Sequence, residues 1–420
     1  MSYSTQKKNG KELNRLYEDD LPIHDWYRFV LSFPPHLVKD YIIKFGIQTD
    51  QIVLDPFAGT GTTLVECKKN GIKSYGCETN PIANFASTVK TDWSISGEEL
   101  LAHATSVAEI AKENIQQNKT PKPLNKDQTK LLIANSISDL PLKKALILLE
   151  AIDSRKSSFH NHERLAFAKQ LVYSYSNLKF GPEVGVSRKK KEDVDVVNLW
   201  LEDIKKMVKD LKLVEPHSVV DSTSLNCDAR FISHTLQPNS IDCVITSPPY
   251  PNEKDYTRTT RLENVILGYI HNAEELKGTK KNLLRSNTKN VYKGDTDDLW
   301  VKDIQSIQGL AAQIEAKRIE LNKTSGFEKL YHKVLKLYFG GMAKHLMDLK
   351  PYLKDGAKLA YVVGDQASYF RIPVRTAALL GEVAESIGYT IDGIDLFRER
   401  LSTTTKSLIR EEVLLLSLKK

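Results

Sequence analysis

With 420 residues, 41% hydrophobic and 27% charged, the chain is long enough for one large domain with insertions or for two domains, and its composition excludes a disordered or fibrous protein. A formal charge of +7 is compatible with a polyanionic partner without demanding one. No apolar run approaches the roughly 18 residues of a membrane span, and Met1–Asp20 lacks the apolar core of a secretion signal. Cys67, Cys77, Cys227 and Cys243 sit singly, with no C-x-x-C or Cys/His cluster, so neither a disulfide scaffold nor a zinc site is expected. The expectation is a cytoplasmic protein with no metal and no membrane partner.

In chain order, Gln51–Asp55 reads as a buried strand, followed by a Gly/Thr turn and a helix from about Thr62 to Asn70 that Gly71 stops. Lys73–Glu78 reads as the next strand, which completes the opening βαβ of a doubly wound sheet. From about Ser96 to Glu215 apolar residues recur at helical spacing, as at Leu146, Leu149 and Ile152, and predict a mainly helical insertion. Strand signals return at Ser218–Asp221 and Asp242–Thr246, and a second polar stretch runs from about Asn252 to Gly326. A long helix over Leu330–Leu349, a strand over Lys358–Val363, a helix over Thr376–Ile387 and a last strand over Glu412–Leu418 complete the pattern. The fold class expected is α/β, a doubly wound Rossmann-like sheet interrupted by a mainly helical insertion and a second, smaller one.

The first strand runs into Asp55-Pro-Phe57-Ala-Gly59-Thr-Gly61-Thr62. Glycines there let the backbone turn sharply and a ligand approach it, with the free N–H groups of the next helix close by. The P-loop lysine is missing, and the third glycine of the dinucleotide fingerprint is Leu64. A carboxylate at Asp55 is a poor neighbour for a pyrophosphate and a good one for an ammonium, which favours S-adenosylmethionine. Glu78, about 20 residues past the turn, stands where an acid accepts the hydroxyls of a ribose. Asp228, followed by Ala229, can accept from an adenine amine.

Val244-Ile-Thr-Ser247-Pro248-Pro249-Tyr250 takes a buried strand straight into two prolines and an aromatic ring. Prolines cannot extend a ladder, so the strand must end in a rigid turn at the carboxyl edge of the sheet, where ligands bind in open α/β folds. The turn offers a hydroxyl, a carbonyl and a flat ring. Two acceptors taking the protons of an exocyclic amine would draw its delocalised lone pair out of the ring, while Tyr250 stacks on a base extracted from the duplex.

On these motifs the chain resembles the DNA amino-methyltransferases. The likeness of Asp55-Pro-Phe-x-Gly-x-Gly61 implies that Asp55, Phe57, Gly59 and Gly61, with Thr62 at the helix start, hold the methionine end of S-adenosylmethionine. It implies further that Glu78 binds the ribose, and Asp228 with Ala229 the adenine. Ser247, Pro248, Pro249 and Tyr250 would be catalytic, and Phe33-Pro-Pro-His36 resembles the segment that closes the methionine pocket. A serine at position 247 is typical of members that methylate cytosine N4; adenine N6, and more weakly an RNA base, stay open as targets. A non-catalytic DNA-binding module that keeps the cofactor fold is the rival of another class.

The resemblance covers the sheet, expected over 21–95, 216–251 and 327–420. The chain stops at what reads as the last core strand, so base recognition is expected from the insertions over 96–215 and 252–326. Candidate DNA contacts are Arg188, Lys189 and Lys190 in the first, and Asn252, Tyr256, Arg258 and Arg261 in the second, with Lys280, Lys281 and Arg285 as a further basic stretch. Double-stranded DNA is the expected partner. A cognate restriction endonuclease would be a genetic rather than physical one; stand-alone, restriction-linked and phage-defence roles all stay open.

Overall fold

The computed structural model describes residues 16–29, 32–181, 183–232, 236–251, 254–401 and 408–420. The strands are β1 Ile52–Asp55, β2 Lys73–Cys77, β3 Leu178–Phe180, β4 Val184–Val186, β5 Ser222–Leu225, β6 Ile241–Thr246, β7 Leu353–Gly364, β8 Thr390–Leu401 and β9 Leu408–Ser417. Among the described residues β3 and β4 form a separate antiparallel hairpin, and the other seven make one sheet in the order β5-β2-β1-β6-β7-β9-β8. Counting those seven alone along the chain, the order is 3-2-1-4-5-7-6. β5, β2, β1, β6 and β7 are parallel, and β9 runs antiparallel between β7 and β8. The doubly wound α/β expectation is met.

The central strands carry apolar runs, Val53-Leu54, Cys243–Ile245 and Leu359–Val363, because both of their faces are covered there. On β1, Val53 packs with Val38 and Tyr41 of the helix Pro35–Phe45, while Leu54 faces the opposite cluster with Tyr338 and Leu346 of the helix Tyr331–Leu349. β7 alternates likewise, Ala360 and Val362 on the first side and Leu359, Tyr361 and Val363 on the second. From β1 the chain winds outward to β2 and β5, then returns to β6 on the other flank of β1. The carboxyl ends of β1 and β6 therefore diverge, leaving a crevice at this switch point.

Between Gly97 and Val214 lie the helices Gly97–Gln116, Lys126–Leu131, Asp139–Ser154, His160–Gln170 and Val196–Val214, around a core that includes Leu148, Phe167 and Trp200. Ser96 and Asp195 cap the first and last of them by accepting from Glu99 and Asn198 backbone N–H groups. The segment before the sheet is tied down at three points. His24 pairs with Glu66 at 2.7 Å, the Trp26 indole donates to Asp210 at 2.8 Å, and the Tyr27 hydroxyl donates to Glu263 at 2.6 Å. No described helix is long and apolar enough to cross a membrane.

The stretch after β6 docks on the helix Tyr331–Leu349 through Gly340 and Gly341. A Cβ at Gly340 would lie 1.9 Å from the Asp297 carbonyl oxygen, and one at Gly341 2.5 Å from Leu284 Cδ1. Alanine for glycine within a helix normally stabilises by about 1 kcal/mol. Here Gly340→Ala is expected to destabilise by on the order of 1–3 kcal/mol, because the Asp297 turn must be pushed away. A urea-denaturation midpoint that rises instead would show that the turn does not rest on this helix.

Candidate active site

The crevice opens into a cavity of about 280 Å³. The turn Pro56–Gly61 forms its floor, helped by Gly59 at φ +52 and Gly61 at φ +82, conformations that only glycine takes without strain. A Cβ on Gly59 would meet nothing within 4 Å, so the missing side chain leaves open space against the cavity. Phe57, Gly59 and Thr62 line the wall; Asp55 and Gly61 sit just behind it. Asp55 is fully buried. Its Oδ1 accepts from the Thr246 hydroxyl at 2.6 Å and the Phe57 N–H at 3.1 Å, whereas its buried Oδ2 has no partner. Burial pushes this carboxyl up to about 6, although the Thr246 bond opposes the shift.

Glu78 follows β2 and crosses to the floor. Its two oxygens accept from the Gly59 N–H at 2.9 Å and the Asn80 N–H at 2.6 Å, and burial raises it to about 7. Asp228 and Ala229 line the cavity beyond β5. The Ala229 carbonyl accepts from His345 Nδ1 at 2.7 Å, so His345 Nε2 must accept from the Tyr361 hydroxyl, also at 2.7 Å. Burial holds His345 down at about 4, which keeps that neutral tautomer.

The second turn leaves β6 one residue after Thr246. The Ser247 hydroxyl donates to the Val362 carbonyl at 3.2 Å, which spends its proton and leaves its oxygen as an acceptor. Tyr250 stands against Gly364, where a Cβ would lie 2.7 Å from the ring. Ser247, Pro248, Pro249 and Tyr250 all line the same cavity as Glu78 and Asp228.

Of the candidate DNA contacts, Tyr256 lines the cavity and its hydroxyl accepts from the Tyr250 N–H at 3.4 Å. Arg258 lies on the short helix Tyr256–Thr259 and is partly exposed. Arg261 is turned inward, donating to the Thr257 carbonyl and hydroxyl at 3.1 and 3.2 Å and towards the Leu131 carbonyl. Arg188, Lys189 and Lys190 follow the β3–β4 hairpin and are exposed. Glu183 in that hairpin acts electrostatically on Lys254 of the cavity wall. Asn252 lies outside the described residues. The further basic stretch is largely internal, since Lys280 pairs with Asp255 at 2.9 Å and buried Arg285 with both oxygens of Asp295 at 2.9 Å. Phe33 and Pro34 line the cavity, and His36 packs on Tyr17 and Phe397 outside it.

Several cavity residues escaped the sequence reading. Asn80 donates to Thr260 at 3.0 Å and accepts from Asn264 at 3.1 Å, which joins the loop after β2 to the helix beyond the second turn; Asn80-Pro81 was a helix-start signal in plain view. Arg398 and Arg400 reach the rim from β8. The single cysteines also require a correction. Cys77 and Cys227, ending β2 and following β5, form a disulfide with their Cα atoms 5.5 Å apart, a pairing that a separation of 150 residues hides.

A 3-2-1-4-5-7-6 sheet with a glycine turn after its first strand and acids after its second and third is a doubly wound, Rossmann-like α/β fold with its cavity at the switch point. The family model described as DNA methylase, N6_N4_Mtase, matches residues 2–84. The chain is 27% identical over 296 residues to the Type II methyltransferase M.BsoBI of Geobacillus stearothermophilus, a match taking in 63% of this chain and 56% of that protein. With the Type II methyltransferase M.AvaI of Anabaena variabilis it shares 24% over 407 residues, 89% of this chain and 80% of the relative. Thus the match spans little more than half of one relative and four-fifths of the other. These matches support the resemblance of the chain to the DNA amino-methyltransferases. A solved structure of TrmN from Thermus thermophilus aligns at 10% identity and a TM-score of 0.31, over 95% of this chain and 53% of that one.

The cavity fits S-adenosylmethionine, the cofactor that the motif resemblance implies, on three counts. An unpartnered buried carboxylate oxygen adjoins the floor, the Gly59 backbone is open, and a carboxylate stands at each of two neighbouring strand ends. Asp55 contributes stability as its protonated form: that contribution is full below its unfolded value of about 3.8 and is lost as pH rises through about 6. Asp55→Asn keeps the acceptor for Thr246 and Phe57 and removes the buried charge. It should raise unfolding stability at pH 8 by on the order of 1–3 kcal/mol, with the gain vanishing near pH 4. Paired urea titrations at the two pH values check this; equal effects at both would show that ionisation of Asp55 costs nothing.

Proposed function

We propose that this chain transfers a methyl group to the N4 amine of a cytosine flipped out of duplex DNA. The observation that carries the reading is the junction of the Ser247–Tyr250 turn with the glycine floor and Glu78 in one cavity at the switch point. In this reading Glu78 accepts from the ribose hydroxyls, Asp228 from the adenine amine, and the floor from Phe57 to Thr62 holds the methionine end, with Asp55 behind it facing the ammonium. The bound cofactor supplies an electrophilic methyl on a cationic sulfur.

What the chain supplies is position. The Ser247 oxygen, its own proton on Val362, and the Pro248 carbonyl accept the two amine protons and draw the nitrogen lone pair towards the cavity. Tyr250, propped between its turn and Gly364, offers a face for the extruded ring, with Tyr256 beside it. No strong base is needed, because the amine sheds a proton after it is methylated. Serine at position 247 favours cytosine N4 over adenine N6. Arg188, Lys189, Lys190, Arg258 and, outside the described residues, Asn252 stand as the proposed duplex contacts. The core over 21–95, 216–251 and 327–420 and the insertions 96–215 and 252–326 remain the proposed division of labour. The Type II names of the relatives suggest a cytoplasmic enzyme in a restriction-modification setting, with an endonuclease as genetic partner.

Nucleosides from the DNA of cells expressing the chain, measured by mass spectrometry against a Ser247→Ala control, are expected to show N4-methylcytosine in the active sample alone. N6-methyladenine would move the target and keep the machinery; neither product would favour a non-catalytic binding module. Ser247→Ala and Tyr250→Ala should lower turnover by about 10²-fold or more, with cofactor affinity within about threefold. Glu78→Ala should weaken the cofactor first. Equal losses of cofactor affinity in all three would contradict the assigned roles.

A further inference from the structure

Arg230, two residues past Asp228, is a buried guanidinium that donates to three residues, Asp228, Asp297 and Lys281. Its Nε lies 3.0 and 3.2 Å from the two oxygens of Asp228, and its Nη2 is 2.6 Å from Asp228 Oδ2. Its Nη1 donates to Asp297 Oδ2 at 2.6 Å, and Nη2 also donates to the Lys281 carbonyl at 2.9 Å. The Arg230 backbone N–H adds a bond to Asp228 Oδ1 at 2.9 Å. A carboxylate has about four acceptor positions, so these bonds take most of them and leave about one for a ligand. Asp297 and Lys281 belong to the stretch after β6, whose Asn282, Leu283 and Leu284 line the cavity beside Asp228. Lys344 adds a second cation to Asp297 at 3.6 Å, and the Gly340–Gly341 seat holds that stretch against the core.

We propose that Arg230 is a positioning residue for cofactor selection: it fixes the Asp228 carboxylate so that its remaining acceptor meets the adenine amine, and it makes the second insertion a structural part of the cofactor site. The proposal rests on the reading of Asp228 as the adenine acceptor. An aspartate free to rotate would bind amine and carbonyl purines with little preference, because it could turn away from an unfavourable partner. Held by three N–H groups of Arg230, it cannot turn, and a carbonyl in place of the amine meets an acceptor with which it cannot pair. A residue that merely stabilises the fold would weaken all nucleoside ligands alike.

The test is calorimetric affinity for S-adenosylhomocysteine and S-inosylhomocysteine, which differ at the exocyclic position of the purine. The full chain is expected to prefer the adenosyl ligand by about tenfold or more, and Arg230→Gln to cut that preference to about threefold or less. Arg230→Lys, which keeps the charge and loses the fork, should fall between. Should Arg230→Gln fail to fold, Asp297→Asn, which loosens only the far anchor, is expected to lower the preference by about two- to fivefold. A preference unchanged in the variant that folds overturns the proposal. Selectivity lost in Asp228→Asn yet kept in Arg230→Gln overturns it while leaving the adenine reading intact. No selectivity in the unmodified chain, or no binding of either ligand, overturns both.

Discussion

The hydrogen bond from the Thr246 hydroxyl to Asp55 is the constraint on which the site depends. β1 and β6 pair in parallel register, Val53 with Cys243 and Leu54 with Val244, so the two side chains end neighbouring strands. One residue beyond each, the chain enters a turn: Pro56 towards the glycine floor, Ser247 towards the two prolines. The bond at 2.6 Å sets the spacing of those turns within the packed core, where both residues are fully buried. A hydrogen bond to a carboxylate contributes roughly 1.5–3 kcal/mol, yet Asp55 is raised to about 6, so burial outweighs it. The fold gives up stability here to keep a half-satisfied acid beside the floor of a cavity, a trade that folding alone would not select.

How much of this was legible follows from burial. β1, β6 and β7 are covered on both faces over Val53-Leu54, Cys243–Ile245 and Leu359–Val363, apolar runs that read as strands at sight. β8 gives no strand signal because it is an edge strand paired only with β9; its Asp392, Asp395, Arg398 and Glu399 break the apolar pattern. The strand signal at Ser218–Asp221 falls four residues before β5, since Val219-Val220 reads as a strand and Ser222–Leu225 does not. Val219 is in fact 88% exposed, and β5 is held by its ladder to β2 rather than by apolar burial. The β3–β4 hairpin lay hidden in a segment of helical texture.

The site divides the same way. Its turns are local, and their chemistry stands in five or six consecutive residues, so Asp55–Thr62 and Ser247–Tyr250 announced themselves. The acids at the ends of β2 and β5 followed from spacing. What stayed hidden is everything that depends on distant pairing: Arg230 with Asp297, Asn80 with Asn264, Cys77 with Cys227. Charge in the second insertion misled for a physical reason. Lys280 and Arg285 read as a basic face, but each meets an aspartate elsewhere in the same insertion, and the pairs hold the insertion together instead of facing a partner. The glycine pair at 340–341 was the available signal that a loop lies close on that helix.

The electrostatic layering of the cavity gives the proposed reaction its physical sense. The cofactor end is built from carboxylates, Asp55, Glu78 and Asp228, raised by burial in the first two cases. The middle carries neutral groups, the Ser247 hydroxyl, the proline carbonyl and the tyrosine ring. The rim carries Lys254, Arg398 and Arg400, with Glu411 bridging the two arginines. A cationic sulfonium, an uncharged base and an anionic backbone would each meet the layer of complementary character, in the order a flipped nucleotide presents them. The buried acids at the cofactor end, which a folding argument alone would leave out of the interior, would face the cationic sulfur of a bound cofactor.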